Sequence, residues 1–163
     1  MPTQTSPALV VIGVGNPYCG DDAVGHEVVR RLAQELGECE QVCLLLESGE
    51  GTRLLAAWQD AKTVILIDAV WSGAEPGTVH RLDTVTQSIR GVWWRASTHT
   101  FGVAEAIALA RILQELPARL LVYGIEGSSF APGTGLSRAV ANVVPEVVAQ
   151  LRQDIAAFTG VQK

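Results

Sequence analysis

The residues most able to do chemistry in this chain are carboxylates placed at the ends of apolar runs, together with one imidazole. Asp68 follows Val64-Ile-Leu-Ile67, inside a run where an ionised carboxylate without a partner is costly or is driven to protonate. Asp21 and Asp22 come soon after the first apolar run and its Asn16, Glu47 and Glu50 after the second, and Glu126 closes the last. Acids gathered at one edge raise each other's pKa, so they need a metal cation, a cationic peptide or a shared proton, and they repel phosphate. His99, in Ser97-Thr-His-Thr-Phe-Gly102, stands immediately before a predicted helix. The positive end of that helix disfavours protonation and leaves an imidazole able to coordinate a metal or accept a proton. One histidine nitrogen with two carboxylate oxygens is a sparse donor set, better suited to an ion shared with a partner than to a permanent structural zinc.

Other candidates have plainer readings. Asp21 is placed to cap the first helix, and Asp22 either complements that helix dipole or serves the site. His26, one turn after Asp22, reads as its surface i, i+4 partner, and His80 as an inert residue on a short exposed strand. Gly13 and Gly15 begin a dinucleotide-type fingerprint, but Tyr18 occupies the third glycine position, which argues against nucleotide binding. Neither Cys19 nor Ser128-Ser129 lies in a nucleophile elbow. Cys39 and Cys43 lack the further ligands of a zinc site and read as packed thiols. Trp71 and Trp93-Trp94 read either as local packing or as a docking surface.

The elements that must position these residues follow from patterning. Ala8–Val14, Gln41–Glu47, Thr63–Val70 and Arg119–Ile125 are apolar runs of the kind buried on both faces of a parallel sheet. A helix opened by Asp21-Asp22 places Val24, Val28, Leu32 and Leu36 four apart and stops at Gly37. Further helices are expected around Thr52–Trp58, Gly102–Leu116 and Leu136–Phe158, the last kinked or divided at Pro145. Thr78–Leu82 returns after only a turn and is expected antiparallel to the third strand; Asp83–His99 is an excursion without periodicity. The expected fold is a three-layer α/β/α sandwich of the phosphorylase/hydrolase-like kind. Its five-stranded, mostly parallel twisted sheet has one antiparallel strand, within a single domain over residues 1–163. Ligands in such sheets bind outside the carboxyl ends of the strands, where these acids lie.

The 163 residues carry a net charge of -5, and their ten arginines and two lysines form no basic run, which argues against nucleic acid or anionic membrane as partner. Hydrophobic residues are 48% of the chain, enough for a core of ordinary size. Three cysteines form no even framework, which fits a reducing compartment, and the apolar run Ala8–Val14 is too short for a signal or spanning segment. The cytoplasm is the expected location.

Taken in series, Gly13-Val-Gly-Asn16, Asp21-Asp22-Ala-Val-Gly25, Ile67-Asp-Ala69, Pro76-Gly-Thr78 and Thr98-His-Thr-Phe-Gly102 resemble the hydrogenase maturation proteases, endopeptidases that trim the large subunit of [NiFe] hydrogenases. The resemblance covers essentially the whole chain. It implies that Asp22, Asp68 and His99 are the metal-contacting and catalytic residues, in an aspartyl-protease-like role, with aspartate at a first position that is glutamate in some members. It implies no permanent cofactor: the nickel is supplied by the precursor of the large subunit, whose C-terminal extension is removed. It also implies a monomer. A nickel- or precursor-binding chaperone without enzymatic activity, and a metal-dependent hydrolase of small molecules, are the alternatives.

Overall fold

The computed structural model describes residues 7–87 and 102–160. Among the described residues five strands form one sheet: β1 (Leu9–Val14), β2 (Val42–Glu47), β3 (Thr63–Val70), β4 (Val79–Asp83) and β5 (Arg119–Glu126). They lie in the order β2-β1-β3-β5-β4, parallel except for the β4–β5 pair. Helices α1 (Val24–Leu36), α2 (Gly51–Trp58), α3 (Val103–Ile112) and α4 (Arg138–Thr159) cover both faces. Side chains alternate between the two faces along each strand. Thus Val11, Ile65, Ile67 and Tyr123 pack with α1 and α4, whereas Ile12, Val64, Leu66 and Val122 pack with α2 and α3. This is the expected sandwich, and no helix of the described residues is long and apolar enough to cross a membrane.

Three expectations about the elements are corrected. β4 runs antiparallel to β3 as expected but is not its neighbour; β5 lies between them and β4 forms the edge among the described residues. The physical reason lies in composition, since the strand of β5 is buried on both faces while β4 alternates with His80, Arg81 and Asp83 and suits an edge. Asp21 and Asp22 do not open α1. They sit in a single 3-10 turn, Gly20–Ala23, and the helix begins at Val24 without a side-chain cap. α4 is not divided at Pro145, which lies on its exposed face within one continuous helix. In α1 the four-apart set Val24, Val28, Leu32 and Leu36 is buried, and Gly37 ends the helix at φ 66°.

Candidate active site

Two glycines bring Asp22 and Asp68 to the same edge. A Cβ on Gly25 would lie 2.4 Å from the Ile67 carbonyl oxygen and 2.5 Å from that of Val14. One on Gly13 would lie 2.3 Å from the Gly25 carbonyl oxygen. The start of α1 therefore rests directly on the backbone of β1 and β3, and the 3-10 turn just before it packs against β3, where Asp68 follows Ile67. Asp22 Oδ2 accepts from the Asn16 N–H at 2.8 Å, which closes the β1–α1 loop on itself. Gly15, at φ +136°, permits this closure, since a Cβ there would meet the Asp22 carbonyl oxygen at 1.9 Å.

Asp68 is buried, with 8% of its surface exposed, on the face shared with Val64 and Leu66. Its neighbour in register on β5 is Gly124, which has no side chain, and beyond that lies His80 on β4. Asp22 lines a pocket of about 610 Å³ together with Asn16, Tyr18, His26, Leu46 and Glu47. Tyr18 is exposed there, and Phe130, which also lines the pocket, stacks on the exposed Trp71 with ring centroids 5.7 Å apart.

Of the remaining acids at this edge, Glu47 lines the same pocket as Asp22, and each of them has a structural task. Asp21 is fully buried and accepts from the backbone N–H groups of Ser128, Ser137 and Ser129, at 2.7, 2.7 and 3.1 Å, and from the Ser137 hydroxyl at 2.9 Å. Burial pushes its pKa up, but these donors outweigh it and hold the carboxyl below the usual aspartate range. Asp21 thus ties the β5–α4 loop to the turn that carries Asp22, and is not a helix cap. Glu126 accepts from the N–H groups of Ser72 and Gly73 and from the Ser72 hydroxyl, and pairs with His80 at 3.3 Å. His80 is therefore a buttress of the β3–β4 turn and not an inert surface residue. Glu50 caps α2 through Thr52 and Arg53, and Glu47 pairs with Arg53 at 2.9 Å.

His26 also departs from its expected place. It is buried, and its Nε2–H donates to the Glu47 carbonyl at 2.9 Å, so it links α1 to the end of β2 and makes no surface pair with Asp22. A carbonyl only accepts, which assigns the proton to Nε2 and leaves the buried Nδ1 without a partner among the described residues. Cys19, Cys39 and Cys43 are free. His99 and Trp93-Trp94 lie outside the described residues, among which no group of three His, Cys, Asp or Glu is placed to hold a metal ion.

The local sequence carried no signal for Asp21 or His26. The partners of Asp21 are more than a hundred residues away, and the position of His26 depends on the close seat of Gly25 on the sheet.

Comparison with known proteins agrees with this architecture. The HupD hydrogenase expression/formation protein of Rhodobacter capsulatus is 28% identical over 160 residues, 97% of this chain and 76% of that protein. The hydrogenase 2 maturation protease of Escherichia coli is 28% identical over 151 residues, 89% of this chain and 91% of that protein. Among solved structures, the hydrogenase maturating endopeptidase HybD of Escherichia coli superposes with a TM-score of 0.74 at 25% identity, over 93% of each chain. A family model described as hydrogenase maturation protease matches residues 26–154. With most of its length so matched and the same mixed sheet beneath it, this chain belongs to the hydrogenase maturation protease family of endopeptidases.

Proposed function

We propose that this endopeptidase removes the C-terminal extension from the immature large subunit of a [NiFe] hydrogenase, and that it recognises nickel already held by that precursor. The observation that carries this reading is the seat of Gly25 on Ile67, which sets the turn of Asp22 against the strand of Asp68 at the carboxyl edge of a parallel sheet. Two carboxylates there offer oxygen donors to a cation brought by a partner. His99 completes the set in this proposal. Supporting it, Gly102, three residues later, precedes α3, which packs on the same sheet face as Asp68. α3 ends shortly before β5 starts, so its ten residues, about 15 Å long, run back from the carboxyl edge.

In the reaction, the nickel is part of the substrate and orients the scissile bond; it is not a resident cofactor. A carboxylate, Asp68 or Asp22, takes a proton from water as the water oxygen bonds to the carbonyl carbon. The tetrahedral intermediate then collapses, the C–N bond breaks, and the proton passes to the leaving nitrogen. The free thiols Cys19, Cys39 and Cys43 fit work in the cytoplasm.

The test is incubation with a nickel-loaded large-subunit precursor, read by mass spectrometry for loss of the C-terminal peptide. Asp68→Asn is expected to lower kcat by at least about a hundredfold, the usual contribution of a general base, and His99→Ala to impair cleavage by removing a donor to the precursor's nickel. Full activity in both variants rejects the assigned site, and binding without loss of mass marks a chaperone instead of a peptidase.

A further inference from the structure

The two edges of the sheet are built differently. β4 carries His80, Arg81 and Asp83, charged and polar residues that discourage pairing with another strand. β2 reads Val-Cys-Leu-Leu-Leu-Glu, and every residue of it is at least partly exposed, whereas β1 beside it is buried along its whole length. At the two ends of the β1–β2 ladder, the N–H groups of Leu9 and Gly15 donate to the carbonyls of Gln41 and Glu47. The odd-numbered residues of β2 therefore face β1, and the N–H and C=O groups of Leu44 and Leu46 point outward. No hydrogen bond to them occurs among the described residues. An apolar edge with open backbone groups is a template for one more strand.

This edge leads somewhere. β2 runs into the pocket, whose lining includes Leu46, Glu47 and Ser48 from the end of this strand together with Asp22. A strand added outside β2 would lie two inter-strand spacings from β1, about 10 Å, and three extended residues cross that distance. We propose that the outer edge of β2 captures an extended, apolar segment of the large-subunit precursor by strand addition. The residues that continue past Leu46 then enter the pocket beside Asp22. The proposal rests on the reading of the chain as a processing endopeptidase and adds where the substrate docks. Continuity of the edge with that pocket favours the precursor over a second copy of this chain, which could satisfy the same groups but would leave the pocket unfilled.

The experiment uses the full chain and a nickel-loaded large-subunit precursor. Cleavage by the wild-type protein tests the processing reading by itself; its absence refutes that reading, whatever happens at β2. Where cleavage occurs, amide hydrogen exchange at Leu44 and Leu46 is expected to slow at least about tenfold when the precursor is added to the Asp68→Asn variant, as for amides drawn into a ladder. Unchanged exchange at both overturns strand addition. Leu44→Pro, outside the pocket lining, removes an outward N–H and leaves the β1 ladder intact, so it is expected to raise KM about fivefold, the worth of one hydrogen bond. Leu44→Ala keeps the N–H and is expected to raise KM less; equal KM values in the two variants overturn backbone pairing. Should the proline variant fail to fold, the exchange measurement decides alone. Slowed exchange that follows protein concentration without precursor assigns the edge to a second copy and overturns the proposal.

Discussion

Replacing Asp21 by alanine probes how firmly the turn of Asp22 is held. Asp21 is fully buried and receives three backbone N–H groups, from Ser128, Ser129 and Ser137, and the Ser137 hydroxyl. Alanine leaves those three N–H groups facing a cavity, each at a cost of about 1–3 kcal/mol. The full sum is not reached, because the loop keeps backbone bonds of its own: Asp21 N–H to the Ser129 carbonyl at 2.8 Å, and Gly133 N–H to the Tyr18 carbonyl at 2.8 Å. A loss of about 4 kcal/mol is expected, within the range for breaking a buried charged cluster. Asp21→Asn retains one acceptor oxygen and should lose about half as much. Urea unfolding at neutral pH measures both through the midpoint with unchanged slope. The melting temperature of the alanine variant should fall by roughly 10 °C for a chain of this size. A loss under about 1 kcal/mol for alanine would refute Asp21 as the hub that joins the two loops.

Gly25→Ala places a methyl group against two carbonyl oxygens, those of Ile67 and Val14, which are backbone and cannot swing aside. It should cost about 2–3 kcal/mol and also lower kcat by displacing Asp22 from Asp68, as urea midpoints and cleavage rates would show. Tyr123 donates to Asp154, which also binds Arg81 at 2.7 Å; Tyr123→Phe should cost about 1–2 kcal/mol, read by the same unfolding assay. Burial raises the pKa values of Asp83 and Glu126, but Arg119 beside the first and the Ser72 and Gly73 donors around the second outweigh it, so both carboxyls lie below their usual range. Groups depressed in the folded state stabilise it above the unfolded-state carboxylate range and lose that contribution as they protonate. Urea midpoints should be level from about pH 7 to 5 and decline below about pH 4, and a rise there would contradict the assignment.

Much of the fold was legible because it is written in short-range pattern. Apolar runs of six to eight residues marked β1, β3 and β5, and the four-apart valines and leucines marked α1. The neighbour of β4 was not legible, because strand order depends on which strand is buried on both faces once the whole sheet is assembled. Among the acids, Asp68 stood out from its apolar run alone, since a carboxylate there demands a reason. Asp21 misled: its position before a helix suggested a cap, and nothing nearby in the chain announced that Ser128, Ser129 and Ser137 would claim it.

What the sequence by itself determined is the class of fold, the edge at which chemistry is possible and the residue types available there, because periodicity and the cost of burying charge act within a few residues. The tertiary structure alone decided which acids became scaffold. Asp21, Glu47, Glu50 and Glu126 were assigned to loops, caps and pairs, while the contact of Gly25 with Ile67 set Asp22 and Asp68 at a common edge. Partners that satisfy a buried carboxylate arrive from anywhere in the chain, and only the folded backbone says which donors come within reach.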